Sequence, residues 1–205
     1  MDALSEYTNE DYQNDKIGCD DSVKKLLGDL EDIQAQVLKP YNEIQRFLRN
    51  PSESLLIIKG MAGTGKTECI NKIIQYYCQI NSDKDKKSLL KNIIVSSPTT
   101  VGAANIRQRG FFNAQTLDYF LNKWSEEQDF ELFIVDEASM LTRKHLSKIN
   151  KKFNKQNSVK FVFIGDDGQF RPYDFDKGAE SDSFALNLDY SQEIFGKGRE
   201  IILEN

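Results

Sequence analysis

The sequence predicts an α/β domain built on a mostly parallel sheet with helices on both faces, and three observations carry that prediction. Short apolar runs recur along the chain: Leu55-Leu56-Ile57-Ile58, Ile93-Ile94-Val95, Leu132-Phe133-Ile134-Val135 and Phe161-Val162-Phe163-Ile164. They are continuous rather than alternating, as expected of parallel strands covered on both sides. Stretches with helical spacing separate them, and strand–helix alternation favours parallel pairing through right-handed crossovers. Glycines, carboxylates and hydroxyls follow the C-terminal ends of these runs, the edge where open sheets of this kind bind ligands.

Taken in order, residues 1–20 are polar and acidic and read as a flexible tail, with residues 21–205 forming one domain. Helical spacing begins near Val23 and runs towards Leu48, with Pro40 dividing it into two helices. Asn50-Pro51-Ser52 is a turn into the first strand. Glu68 to Ile80 is a helix, because Cys69, Ile70, Ile73, Ile74, Tyr77 and Cys78 fall three and four apart. A polar loop spans Asn81 to Lys87, a strand spans Asn92 to Ser97, and a helix starts at Val101 and reaches Arg107. The third strand is Glu131 to Val135, followed by a helix from Leu141 to Phe153 with Leu146 and Ile149 inward. The fourth runs from Val159 to Ile164.

Composition excludes several classes. The chain of 205 residues has 39% apolar content, enough for a sizeable core. No apolar run approaches the roughly 20 residues of a membrane span. The start, Met1-Asp2-Ala3-Leu4-Ser5-Glu6, lacks the basic and apolar regions of a secretory signal. Cys19, Cys69 and Cys78 form no metal-spaced pair, so a soluble protein in a reducing intracellular setting is expected. The net charge is −5, which argues against nucleic-acid binding through bulk charge but leaves room for a local basic path. Residues 1–32 hold ten acids against Lys16, Lys24 and Lys25, a net −7, so the remainder is about +2. Seven basic residues and no acid lie between Arg143 and Lys160, which reads as a solvated helix face and loop. His145 falls on that polar face and is assigned no catalytic or metal role.

The most specific motif is Gly60-Met61-Ala62-Gly63-Thr64-Gly65-Lys66-Thr67, which fits G-x-x-x-x-G-K-[ST] between a strand and a helix. Backbone N–H groups of such a loop form a concave cradle for phosphate oxygens. Gly60, Ala62, Gly63, Thr64, Gly65, Lys66, Thr67 and Glu68 are the nucleotide-binding candidates, with Gly60, Gly63 and Gly65 expected to turn with positive φ. The phosphates sit at a helix N-terminus, where unpaired N–H groups and the dipole favour anions. Lys66 reaches the β- and γ-phosphates and Thr67 offers its hydroxyl to Mg²⁺. Asp136 and Glu137 end the third strand. Asp136 is the second Mg²⁺ residue, acting through water, and Glu137 the base that orients and deprotonates the attacking water. Gly165-Asp166-Asp167-Gly168-Gln169 follows the fourth strand in the same way, and the Gln169 amide can bond a γ-phosphate and report its loss.

The order of these segments resembles superfamily 1 helicases, in the branch of the Pif1, RecD and phage Dda-type enzymes. Val135-Asp136-Glu137-Ala138-Ser139-Met140 is similar to that branch's V-D-E-x-S-M, and Gly165 through Pro172 to its G-D-x-x-Q-[LI]-x-P. Ser97-Pro98-Thr99-Thr100-Val101-Gly102-Ala103-Ala104 resembles its A-P-T-x-x-A-A segment, which contacts single-stranded DNA, with Gly102 in place of an alanine. Thr116-Leu117-Asp118-Tyr119-Phe120 resembles T-[IV]-H-S-[FIL], with Asp118 and Tyr119 in place of His-Ser. Leu30-Glu31-Asp32-Ile33-Gln34 resembles the L-[ST]-x-[ED]-Q segment whose glutamine reads the adenine edge, and Gln45 is the alternative.

The resemblance covers about residues 30–205 and implies the first RecA-like motor domain of an ATP- and Mg²⁺-dependent helicase moving 5′→3′. Lys66, Glu137 and Gln169 carry the chemistry. Pro98, Thr99 and Thr116 meet single-stranded nucleic acid, DNA more than RNA. The RNA alternative is kept because viral RNA helicases share the order and a similar T-x-D-S-F. A second RecA-like domain, with its arginine finger, is expected as a partner in cis or in trans. Without it the chain is a fragment or truncated form, and a non-hydrolysing nucleotide-binding module is the other reading. A phosphate-loop kinase fits less well because Gly165 to Pro172 supplies no basic lid, and an AAA+ loader because its polar sensor after the fourth strand usually lacks the G-D-x-x-Q-x-x-P form. Trp124, Phe111, Phe112 and Tyr119 suit either core packing or base stacking, and Arg107, Arg109 and Lys123 either phosphate contacts or plain surface.

Overall fold

The computed structural model describes residues 38–111, 113–123, 130–153, 159–168, 173–174, 179–180 and 185–204. The chain divides into two compact units, Met1–Lys39 and Pro40–Asn205. The tail, Cys19, Gln34 and nearly all of the helix expected upstream of Pro40 lie outside the described residues. Residues 38–49 form helix α1, which runs through Pro40 rather than breaking there as expected, with Ile44, Phe47 and Leu48 buried.

Six strands make one sheet in the order β3-β2-β4-β5-β1-β8, and every pairing in it is parallel. They are β1 (Leu55–Gly60), β2 (Ile93–Ser97), β3 (Gln115–Thr116), β4 (Leu132–Val135), β5 (Lys160–Gly165) and β8 (Gly198–Leu203). Strands β6 (Tyr173–Asp174) and β7 (Ala179–Glu180) form a separate antiparallel pair. The helices are α2 (Lys66–Ile80), α3 (Lys86–Lys91), α4 (Thr100–Gln108), α5 (Leu117–Lys123), α6 (Arg143–Phe153) and α7 (Leu188–Phe195). The expected α/β fold with a parallel, RecA-like sheet is therefore the observed one.

Strand periodicity builds two cores. On one face Leu56, Ile58, Val95, Ile134, Val162 and Ile164 pack with α1, with Ile70, Ile73 and Tyr77 of α2, and with Ile106 of α4. On the other, Leu55, Ile57, Phe133, Val135, Phe161 and Phe163 pack with Leu117 and Phe120 of α5, Leu146, Ile149 and Phe153 of α6, and Phe195 of α7. A chain of rings runs through this second core. Phe130–Phe153 and Phe133–Phe153 centroids are 5.0 Å apart, and Phe161–Phe195 are 4.7 Å apart. Such pairs contribute about 0.5–1.5 kcal/mol each beyond area burial.

Two polar clusters lock the segment before β1. Lys160 Nζ donates to the carbonyls of Phe47 at 3.0 Å, Asn50 at 2.8 Å and Glu53 at 2.7 Å, tying the end of α1 to β5. The Arg199 guanidinium of β8 grips both oxygens of Glu53 at 2.7 Å and also bonds Glu43.

Three short elements depart from expectation. Lys86–Lys91 is helical where the loop was expected to reach Lys87, because Asp85 caps it and accepts from Ser88 N at 3.1 Å. The stretch after Phe112 holds β3 and α5, whose first turn Thr116 caps by accepting from Tyr119 N at 3.3 Å. Helix α7 begins at Asn187, whose side chain accepts from Tyr190 N at 2.9 Å. Each is a capped segment of eight residues or fewer, too short for periodicity to register.

Candidate active site

Parallel pairing puts the C-terminal ends of β1, β2, β4 and β5 at one edge. Lys59 pairs with Gly165, Val135 with Phe163, and Ser96 with Val135. The phosphate loop, the Asp136-Glu137 pair, the Ser97-Pro98-Thr99 segment and the Gly165-Asp166 turn therefore share this edge. Pro98, Thr99 and Thr116 are adjacent on it, since Ser97 pairs with Thr116, and all three are half-buried.

The loop from Gly60 enters α2 through Gly65, which sits at φ 86° as the helix N-cap, and Gly63 lies at φ 88°. Both occupy the left-handed region that favours glycine. Gly60 does not, contrary to expectation: it ends β1, and it is glycine for closeness, since a Cβ there would lie 2.3 Å from Thr64 Oγ1. Thr64 Oγ1 in turn donates to Met61 O at 2.9 Å. Lys66 Nζ folds over the loop and donates to Gly60 O at 2.5 Å and Met61 O at 2.6 Å. An anion in the cradle offers that ammonium a stronger, charged acceptor. Behind the loop, Cys69 is buried and its thiol is pushed up to about 11, mainly by burial, which fits the inert core role expected of it.

Asp136 follows β4 and accepts from Glu137 N at 2.9 Å on Oδ1. Burial pushes its carboxyl up. The hydrogen bond from Glu137 N opposes this, the Glu137 charge adds to it, and the charges of Lys66 and Arg109 pull it down. A carboxylate whose ionisation burial disfavours gains most from a nearby cation. Among the described residues no group of three His, Cys, Asp or Glu side chains is placed to hold a metal. Mg²⁺ keeps several waters and needs only one or two protein oxygens beside substrate phosphates. Thr67 and Asp136 are the residues expected to offer oxygens to such an ion.

Glu137 is the one non-glycine residue at positive φ among the described residues, at 56°. Such a conformation costs of order 1–3 kcal/mol and persists only where surroundings hold it. Here two hydroxyls do so: Thr99 Oγ1 donates to Glu137 Oε2 at 2.7 Å and Ser97 Oγ at 3.1 Å. The base candidate is thus bonded to the segment expected to meet nucleic acid. Sequence reasoning found Thr99 and Glu137 but not their contact. Ser97 was missed as a candidate, although the two hydroxyl residues Ser96-Ser97 closing an otherwise apolar strand were the available signal.

The other candidates distribute as follows. Gln169 and Gln34 lie outside the described residues, as do Trp124 and Phe112. Gln45 sits half-buried in α1. Phe111 packs against the first core, whereas Tyr119 in the first turn of α5 stays 46% exposed. Val101 at the start of α4 is 70% exposed. His145 is half-buried at the start of α6: its Nδ1 accepts from Thr142 N at 3.2 Å while Thr142 Oγ1 accepts from His145 N at 3.3 Å, a reciprocal cap. Lys59, at the end of β1, bridges Glu200 at 2.7 Å and Asp167 at 3.2 Å, holding the turn after β5 against β8.

A phosphate-binding loop, a half-buried aspartate and a held glutamate on the C-terminal edge of a parallel sheet define a phosphate-loop NTPase domain. Residues 42–177 match the AAA domain family, and the chain belongs to it. None of the curated proteins matches the chain. Solved structures similar to it include two coordinating Pif1 helicases unwinding forked duplex DNA, at 24% identity over 68% of this chain and 35% of that one, TM-score 0.47. Unliganded Pif1 from Bacteroides sp is similar at 23% identity over 62% and 30%, TM-score 0.44. Domain III of the Thermotoga maritima replication initiation protein DnaA is similar at 19% over 80% and 60%, TM-score 0.46. The chain spans about a third of the length of the two Pif1 chains, at 35% and 30%. No helix among the described residues is long and apolar enough to cross a membrane.

Proposed function

We propose that this domain hydrolyses ATP with Mg²⁺ and couples that hydrolysis to single-stranded DNA, as the first motor domain of a helicase. The observation that carries the reading is the Thr99–Glu137 hydrogen bond of 2.7 Å, which joins the hydrolytic base to the nucleic-acid segment. Lys66 binds the β- and γ-phosphates, Thr67 and Asp136 hold Mg²⁺, and Glu137 takes the proton of the attacking water. Gln169 senses the γ-phosphate. Pro98, Thr99 and Thr116 contact the strand, with Tyr119 beside them as a platform for a base. A second RecA-like domain, in cis or in trans, supplies the cation that completes the site. The motifs resembling those of Pif1-type helicases support the DNA substrate and the 5′→3′ direction.

Coupling between two ligands is reciprocal. The test is therefore the affinity of a fluorescent oligonucleotide measured by anisotropy with a non-hydrolysable ATP analogue, with ADP and with neither. Single-stranded DNA affinity that changes with the nucleotide state is expected. An affinity indifferent to nucleotide would remove the motor reading, and preference for RNA of the same sequence would replace DNA by RNA.

A further inference from the structure

Ser97 and Gly102 stand where the resembling A-P-T-x-x-A-A segment has alanines. The two exchanges fit each other in space. Gly102 lies buried in the first turn of α4, where glycine is an unfavourable helix residue. A Cβ on it would lie 2.1 Å from Ser97 Oγ and 2.7 Å from Glu137 Oε2. One heavy atom has in effect moved across the gap: the carbon missing from residue 102 leaves the volume that the Ser97 oxygen fills.

That oxygen is fully buried and bonded to the base. Thr99 Oγ1 accepts from Gly102 N at 2.9 Å, so its single proton goes to Glu137 Oε2. Ser97 Oγ accepts from Thr99 N at 3.3 Å and gives its proton to the same oxygen at 3.1 Å. Both hydroxyls thus anchor Oε2, which leaves Oε1 to accept a proton from water. The anchored oxygen fixes the carboxylate of a residue whose backbone, at φ 56°, does not hold this conformation by itself.

We propose that Ser97 and Gly102 are a matched positioning pair for Glu137, the serine as second anchor and the glycine as the space that admits it. The proposal rests on the hydrolytic reading above. It predicts a specific non-additivity. Gly102→Ala in the full chain pushes the Ser97 hydroxyl off Glu137. Its kcat falls about 10²-fold, the loss expected for an ångström-scale misplacement, while KM for ATP stays within about twofold because the phosphate loop is untouched. In the Ser97→Ala background the same Gly102→Ala change lowers kcat by a clearly smaller factor, because the tightest approach, 2.1 Å to the Ser97 hydroxyl, is gone and only those to Glu137 Oε2 at 2.7 Å and to the Cβ of residue 97 at 2.9 Å remain.

Steady-state ATP hydrolysis of the four proteins, with single-stranded DNA present and melting temperatures recorded alongside, decides it. An equal loss from Gly102→Ala in both backgrounds, or a loss carried by KM, overturns the pair. A loss of kcat that follows melting temperature alone reduces it to packing and overturns the positioning role. No turnover by the unaltered chain overturns the hydrolytic reading and the positioning role together, and the melting cycle then still shows whether the two side chains compete for one space.

Discussion

Replacing Arg199 by Met tests the lock that holds the edge strand β8 to the start of β1. Arg199 donates twice to Glu53 at 2.7 Å, and the Glu53 side chain is only 8% exposed. Met keeps much of the stem and its packing but leaves a nearly buried carboxylate without its partner. Breaking a buried pair from one side costs about 3–5 kcal/mol, and the partial exposure of Arg199, 23%, moves the expectation to the lower end. For a domain of this size, about 3 kcal/mol lowers Tm by roughly 6–12 °C.

The pH dependence gives a second handle. The hydrogen bond from Arg199 holds the Glu53 carboxyl below its usual value of 4.5, against the opposing effect of burial. A depressed carboxylate contributes stability above the unfolded value and loses it as pH falls through the folded value. In the variant burial raises that carboxyl, opposed only by the charges of Lys197 and Lys160. The gap in Tm is therefore widest near pH 7 and narrows on acidification below about pH 4. Thermal melts at a series of pH values would read both. Equal stability at pH 7, or a gap that grows on acidification, would refute the reasoning.

Two other perturbations separate chemistry from structure. Glu137→Gln retains the side-chain volume but cannot take a proton, so nucleotide binding persists while turnover falls about 10²–10⁴-fold; comparable loss of binding by titration with a fluorescent ATP analogue would count against the base assignment. His145→Ala removes the reciprocal cap on α6 and costs about 0.5–1 kcal/mol at pH 8. Burial pushes that imidazole down, Asp118 opposes, and Lys148 and Lys144 add to the fall. The neutral form is the one that accepts from Thr142 N, so the cap's contribution is present above the ordinary histidine value and disappears as pH drops. A difference between the two proteins that persists at pH 4.5 would contradict this.

The long elements were legible because each carries one strong period. The four apolar runs are buried on both faces in the sheet, and the spacing from Cys69 to Tyr77 is the buried face of α2. The phosphate loop was equally plain, since its glycines and Lys66 are fixed by backbone geometry within eight consecutive residues. What the sequence hid depends on atoms brought together from distant positions. The Ser97–Glu137 contact spans 40 residues, and Gly102 read as a defect in a motif until the space beside it was seen. Arg199 and Glu53 were unremarked charges because an ion pair across 146 residues leaves no local pattern. The short helices α3, α5 and α7 owe their existence to caps rather than to periodicity.

The most direct measurement is ATP hydrolysis by this chain with and without single-stranded DNA, with Lys66→Ala as the blank. Slow turnover that Lys66→Ala abolishes and single-stranded DNA raises is the predicted result. Tight, Lys66-dependent nucleotide binding with no hydrolysis under either condition would contradict the motor account and leave a nucleotide-binding module in its place.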